Sequence, residues 1–204
     1  VSIKLISDMY NILTGSVKMS SIFGDLLISV NPEILSPWEK ITKRIVDVLL
    51  SILAILILLP VFILLSFLIK TGSKGPIIFK QKRIGLYGNP FWIFKFRSMI
   101  PEAEKDGPQL SSQNDPRITA IGKFMRKTRL DETPQFFNVI KGDMAIAGPR
   151  PEREYYIEKI VVKAPHYKHV LKVKPGITSW GQIKFGYAEN VDEMVARLKF
   201  DLLY

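Results

Sequence analysis

The run VLLSILAILILLPVFILLSFLI, residues 48–69, carries no charge and at about 22 residues is long enough to cross a bilayer. Two features complicate a simple crossing. Pro60 falls inside it, where it removes one helical hydrogen bond and clashes with the preceding turn. Cations also flank both ends: Lys40, Lys43 and Arg44 precede the run, and Lys70, Lys74, Lys80, Lys82 and Arg83 follow it. A spanning helix keeps its excess Lys and Arg on the cytoplasmic side, so both ends of this one read as cytoplasmic. A kinked helix that still crosses is one reading, since proline is tolerated in membranes. The other is a helix that enters the bilayer, bends at Pro60 and leaves on the side it came from. The two-sided cations favour the second, which places a soluble body against one leaflet.

Working outward, Trp38 to Arg44 form the approach, with Trp38 suited to the head-group level. Asp47 faces Lys43 and Arg44 at helical spacing and so enters the interface paired. Residues 1–37 read as a strand-like start, a helical turn near Met9–Leu13 and a strand around Leu26–Val30, punctuated by Asn31-Pro32 and Ser36-Pro37. This is the pattern of the end of a preceding domain plus a linker. With no initiating Met, and an end at Tyr204 inside an apolar-periodic pattern, a fragment of a longer protein is expected.

The formal charge is +10 and there is no cysteine, which excludes disulfides and thiolate zinc sites. The basic excess lies beyond residue 37, since Lys4 and Lys18 are outnumbered by Asp8, Asp25 and Glu33 before it. Such a body suits nucleic acid, anionic head groups or phosphorylated small molecules. A bilayer segment in the same chain favours the last two, and part of the excess serves only to anchor, at about 1 kcal/mol per nearby cation.

After Gly72, Pro76–Arg83 and Phe91–Met99 alternate apolar with basic residues around Gly85-Leu86-Tyr87-Gly88-Asn89-Pro90, a hairpin pattern. The GxxG in that link is shared with KH RNA-binding modules, but a plain turn accounts for it. Glu102–Gln113 reads as a polar loop and candidate lid. Helices are expected over Ile118–Thr128, from Pro134 with Thr133 as N-cap to Gly142, over Glu152–Val162 and over Val191–Tyr204.

Asp131 and Glu132 stand side by side before the Pro134 helix, whose positive end favours carboxylates and bound phosphate alike. Taken alone they are equally capping residues. In Gly148-Pro149-Arg150-Pro151 two prolines hold Arg150 extended, so that its guanidinium presents a planar fork to phosphate; a rigid loop with an incidental Arg is the alternative. Lys95 and Arg97 share a strand face, as an anion contact or as a solvated face. Pro175-Gly176 suggests a type II turn. His166 and His169 lack further ligands for zinc and read as surface residues. No Ser-His nucleophile arrangement and no Walker loop is present.

In order, the chain carries a basic-flanked apolar helix broken by Pro60, Phe94-Lys95-Phe96-Arg97-Ser98-Met99, Leu130-Asp131-Glu132-Thr133-Pro134-Gln135, Phe137-Asn138-Val139-Ile140-Lys141-Gly142-Asp143-Met144, Gly148-Pro149-Arg150-Pro151-Glu152 and Lys174-Pro175-Gly176-Ile177-Thr178. Over residues 38–204 this closely resembles the bacterial sugar transferase family, the monotopic polyprenyl-phosphate phosphoglycosyl transferases. Residues 1–37 resemble more loosely the end of the regulatory domain of long-form members, and the Gly186-Tyr187 and Lys199-Phe200-Asp201 region is similar to exopolysaccharide-type members. The resemblance implies an α+β, mainly helical fold: a re-entrant membrane helix-break-helix over about residues 40–70, a small β-hairpin and several amphipathic helices at the membrane interface. It makes residues 1–37 the end of a regulatory domain with its linker and 38–204 a C-terminally truncated catalytic domain.

The activity implied is transfer of a sugar 1-phosphate from a UDP-sugar to undecaprenyl phosphate, the first membrane step of exopolysaccharide, capsule or O-antigen synthesis. Asp131 would be the nucleophile, carrying a phosphosugar after UMP leaves, and Glu132 its catalytic partner. Lys95, Arg97, Arg150 and Asp201 would bind substrate, and Mg²⁺ would be held by Asp131 and diphosphate oxygens. The implied location is the inner (cytoplasmic) membrane with the active site on its cytoplasmic face, among membrane lipid and with no nucleic acid. The sugar and the oligomeric state, a homodimer included, stay open. Three rivals remain: a non-catalytic membrane-anchored regulatory or scaffold domain, a nucleic-acid-binding domain motivated by charge, and a metal-dependent phosphohydrolase.

Overall fold

Ser36, Pro37 and Glu39 start the longest element, helix α1 (Pro37–Gly72). Proline at the first helical position gives up an amide that has no helical partner. Ser36 and Glu39 close a capping box: Ser36 N–H donates to Glu39 Oε2 at 2.7 Å, and Glu39 N–H donates to Ser36 Oγ at 3.4 Å. The computed structural model describes residues 18–22, 25–29, 36–101, 103, 107, 115–186 and 188–203. The chain divides into two units, Val1–Lys43 and Arg44–Tyr204. In the first, β1 (Lys18–Ile22) and β2 (Asp25–Ser29) form an antiparallel hairpin in the register Lys18 to Ser29. The strand expected around Leu26–Val30 is β2. The helical turn near Met9–Leu13 and most of the Glu102–Gln113 loop lie outside the described residues.

The helical run of α1 is not interrupted at Pro60. The expected break at Pro60 is a proline inside one 36-residue helix and leaves no non-helical gap; proline there removes one helical hydrogen bond and favours a kink. The most apolar window of α1 has a mean hydropathy of 3.3 and is 11% buried. Leu56, Ile57 and Ile63 are each more than 60% exposed, an apolar band that is stable only against lipid or another protein. By length and composition α1 can cross or anchor in a membrane.

Within the second unit, α1 packs against the fold on both sides of Pro60. Ahead of Pro60, Arg44 bonds to the carbonyls of Val139 and Ile140, and Asp47 accepts from Ile146 N–H. After it, Leu65 and Ile69 form a core with Phe96 and Met125, while Phe62 meets Phe96 edge-on at 5.3 Å and Phe137 at 6.5 Å.

The expected hairpin pairs β3 (Ile78–Ile84) with β4 (Pro90–Phe96) around a 3₁₀ turn at Leu86–Gly88, a plain turn. Thr119 caps α2 (Ala120–Thr128) by accepting from Gly122 N–H. Gly122 is required there, because a Cβ would stand 1.9 Å from Ser98 O. Helix α3 (Gln135–Lys141) ends at Gly142, φ 101°. Thr133 is not its N-cap: it is itself helical and its hydroxyl donates back to Leu130 O at 2.7 Å.

The outer edge of β4 is closed by one side chain. Asn138, fully buried on α3, accepts from Phe94 N–H at 3.0 Å and donates to Trp92 O at 2.7 Å, replacing a neighbouring strand. Strand β5 (Ala145–Ala147) pairs in parallel with β6 (Gly176–Thr178). Gly176 is therefore extended, without the positive φ that a type II turn needs. A separate core joins α4 (Glu154–Lys163), the 3₁₀ segment Pro165–Lys172 and α6 (Val191–Asp201) through Tyr156, Ile160, Tyr167, Met194 and Leu198. His166 and His169 are exposed on that 3₁₀ segment. Between β6 and α6 lies the short α5 (Trp180–Lys184).

Candidate active site

Asp131 and Glu132 occupy a 3₁₀ turn, Leu130–Glu132, between α2 and α3. Arg129 ends α2 in the left-handed conformation, φ 61°, and Pro134 leads into α3, so the chain reverses with both acids directed inward. Each is 7% exposed. From β4, the Lys95 ammonium donates to Glu132 Oε1 at 2.6 Å; from the segment after β5, Arg150 Nη2 donates to the same oxygen at 3.3 Å. Arg126 and Arg129 of α2 and Arg83 of β3 couple electrostatically to the pair as well. Cations outnumber carboxylates here, an environment suited to added phosphate.

The two acids differ sharply. Burial alone would push the Glu132 carboxyl up, but Lys95 and Arg150 outweigh it and hold it well below the ordinary glutamate range. Asp131 is pushed up by burial, which the Lys95 charge only partly offsets. Its Oδ1 is buried with no hydrogen-bond partner. An unmet buried acceptor costs about 1–3 kcal/mol, and a native site that carries that cost is a candidate for satisfaction by ligand or reaction.

Arg150 projects from a strap fixed on both sides. Gly148 N–H donates to Thr178 O at 3.1 Å, and Gly176 N–H to Pro149 O at 2.9 Å. Both glycines are dictated by contact, since a Cβ would stand 2.4 Å from Lys174 O and 2.2 Å from Gly148 N respectively. Beyond Arg150, Ile84 N–H holds Glu152 O at 3.0 Å and Arg83 Nη1 holds Pro151 O at 3.1 Å. The Glu152 carboxylate takes Arg83 at 3.3 Å and Arg197 at 2.5 Å. A buried charge chain continues through Arg197 to Asp201 at 3.8 Å, and Asp201 accepts from Gly181 N–H at 3.1 Å.

The structure thus brings together Asp131, Glu132, Lys95 and Arg150, and leaves two expected substrate residues elsewhere. Arg97 lies past the end of β4 and turns to α1, where Nη2 caps the carbonyls of Ile69 at 3.2 Å and Ser73 at 2.7 Å. Asp201 braces α5 against α6. A cavity of about 250 Å³ runs along β3 and the start of α4, lined by Gln81, Lys82, Arg153 and Tyr155 among others, and none of the four clustered residues lines it.

Among the described residues no group of three or more His, Asp or Glu is arranged to hold a metal. Glu132 Oε1 is taken by two cations, which leaves Asp131 as the carboxylate with an unsatisfied oxygen. That donor set fits Mg²⁺, an ion bound through one or two carboxylates plus substrate phosphates rather than by an all-protein cage.

A family model for bacterial sugar transferases matches residues 38–204. The chain belongs to the bacterial sugar transferase family. Over 192 residues it is 40% identical to the UDP-N-acetylgalactosamine-undecaprenyl-phosphate N-acetylgalactosaminephosphotransferase of Aeromonas hydrophila, covering 94% of this chain and 45% of that protein. It is 38% identical over 206 residues to the UDP-glucose:undecaprenyl-phosphate glucose-1-phosphate transferase of Escherichia coli K12, covering 100% of this chain and 44% of the relative. To the undecaprenyl-phosphate galactose phosphotransferase of Salmonella typhimurium it is 34% identical over 203 residues, or 91% and 41%. The chain spans less than half the length of these three curated relatives.

Within this bacterial sugar transferase, sequence reasoning missed Arg83, Glu152 and Asn138 as residues that hold the site. The signal for Asn138 was a polar residue amid Phe136, Phe137, Val139 and Ile140, a position that demands a buried partner. Arg83 and Glu152 gave no comparable signal, because their pairing joins segments distant in sequence.

Proposed function

We propose that this bacterial sugar transferase moves a sugar 1-phosphate from a UDP-sugar to undecaprenyl phosphate, as the first membrane step of exopolysaccharide, capsule or O-antigen synthesis. Asp131 is the nucleophile. One of its oxygens attacks the sugar-side phosphorus, the bond from that phosphorus to the bridging oxygen breaks, and UMP leaves with the electron pair. A phosphosugar remains on Asp131 as an acyl phosphate. A phosphate oxygen of undecaprenyl phosphate then attacks the same phosphorus, the bond to Asp131 breaks, and the carboxylate is regenerated as undecaprenyl diphosphate sugar departs.

The observation that carries this reading is the inequality of the acidic pair: Glu132 Oε1 is held by both Lys95 and Arg150, while Asp131 keeps a buried oxygen without a partner. Lys95 and Arg150, already converging on the pair, orient the diphosphate and offset its charge. Glu132 keeps those cations in place. Asp131 and substrate diphosphate oxygens would hold Mg²⁺, which would supply the charge neutralisation that attack of one anion on another requires. Arg97 and Asp201 support the site at one remove, through α1 and through Arg197.

The α1 helix dips into one leaflet and returns, with the body on the cytoplasmic face of the inner membrane. Cations on both flanks support this, as does the docking of both arms. Between Arg44 and Phe62 a straight helix would rise about 27 Å, yet both residues meet α3, at Val139–Ile140 and at Phe137.

The test is UMP release from a panel of UDP-sugars with undecaprenyl phosphate and Mg²⁺. Asp131→Asn is expected to lower the rate by about 10³-fold or more with an unchanged circular dichroism spectrum. Activity near that of the unsubstituted protein would remove Asp131 from the mechanism, and no release with any UDP-sugar would favour the scaffold alternative.

A further inference from the structure

Arg44 takes no part in the chemistry above, yet it is where the apolar helix meets α3, the helix that follows the acidic pair. Its guanidinium donates to Val139 O at 2.6 Å and to Ile140 O at 2.9 Å, two of the last carbonyls of α3, where Gly142 N–H also donates to Val139 O at 3.0 Å. A planar fork suits two neighbouring carbonyls, and a cation is favoured at a helix C-terminus. Gly142 gives the guanidinium room, since even a Cβ there would stand 3.6 Å from Arg44 Nη2. One turn further along α1, Asp47 accepts Ile146 N–H at 3.3 Å. The first arm of α1 therefore holds both the end of α3 and the segment leaving it.

Helix α3 is tied just as firmly to the reacting groups. Asn138 bonds to the backbone of Trp92 and Phe94, next to Lys95, and Lys95 bonds to Glu132 in the turn that precedes α3. A short path of hydrogen bonds and adjoining backbone thus runs from Arg44 to Glu132.

We propose that Arg44 is a positioning residue for the lipid half of the reaction: by gripping the C-terminus of α3 it fixes the depth at which Asp131 meets a lipid phosphate. This rests on the transferase reading. A soluble nucleotide sugar reaches Asp131 whatever its depth, whereas a phosphate anchored by a polyprenyl chain is confined to the head-group plane. Loss of the grip therefore falls on the second half-reaction.

Arg44→Gln removes the charge, and Arg44→Lys keeps it but offers a point charge in place of a fork. The protein is reconstituted in phosphatidylethanolamine–phosphatidylglycerol vesicles with Mg²⁺ and the UDP-sugar most active in the panel above. Without lipid acceptor, the UMP burst in both variants stays within about twofold of the unsubstituted protein, while transfer to undecaprenyl phosphate falls about tenfold or more in Arg44→Gln and less in Arg44→Lys. If Arg44→Gln does not fold, Arg44→Lys carries the test by the same split. Transfer to lipid that is unchanged overturns the inference. So does a burst lost in proportion to transfer, which marks general damage. No UMP from the unsubstituted protein overturns the transferase reading, and the inference with it.

Discussion

Glu152 sits in the strap beside Arg150 with Arg83 and Arg197 on its two oxygens, all three side chains nearly sealed from solvent. Burial raises its carboxyl, but Arg197 and Arg83 outweigh this, so its folded pKa lies below the ordinary value. A carboxyl lowered in this way adds stability that is full above its unfolded pKa of about 4.3 and fades as the pH falls through the folded value. Glu152→Gln leaves two buried guanidinium groups undercompensated and should cost about 3–5 kcal/mol near neutrality. Thermal unfolding in detergent is expected to show that gap narrowing below the unfolded pKa, whereas a gap independent of pH would remove the ion pairs as its cause. At this scale the sequence marked the acidic pair, Lys95 and Arg150 as candidates, each beside a bland alternative, and the family resemblance joined them in one site. The placement of Arg97 and Asp201 was not legible. A guanidinium serves a phosphate or a helix C-terminus equally well, and only the packing of α1 against β4 sends Arg97 to Ile69 and Ser73.

Elements are held at glycines where backbones touch. Gly122 lets α2 approach Ser98, whose carbonyl oxygen would lie 1.9 Å from a Cβ, whereas Gly72, ending α1, has nothing within 4 Å. Gly122→Ala should therefore destabilise by about 1–3 kcal/mol, while Gly72→Ala should be neutral or mildly stabilising. Equal melting temperatures for the two variants would contradict the close-contact account. The same contrast explains what the sequence revealed of the elements. The helix that ends at Gly142 and the hairpin around Gly85–Pro90 announce themselves through turn and capping residues. The β5–β6 pair does not: strands of three residues carry no period, and Pro175-Gly176 looks like a turn until Gly148 is known to press against Gly176.

For the whole molecule, the proposed transferase reading requires a soluble nucleotide sugar, a lipid phosphate and one carboxylate to meet at a membrane surface. The chain contains no cysteine, so single cysteines report topology without background. Ile45→Cys, ahead of the apolar run, and Lys74→Cys, beyond it, should both react with a membrane-impermeant maleimide from the cytoplasmic side of inverted vesicles; labelling from opposite sides would establish a crossing. The two-sided cations suggested a return to one face, which this labelling tests; the contacts of α1 on both sides of Pro60 were not legible, since they depend on long-range bonds from Arg44 and edge-on packing of Phe62. The central claim is that Asp131 carries the sugar phosphate between two substrates that never occupy the site together. Intact-protein mass spectrometry after mixing with UDP-sugar and Mg²⁺, without undecaprenyl phosphate, tests it directly. A single phosphosugar adduct is predicted, mapped by peptide sequencing to Asp131, released on adding undecaprenyl phosphate and absent from Asp131→Asn. UMP release and lipid product formed without any adduct, or an adduct mapped to another residue, would contradict it.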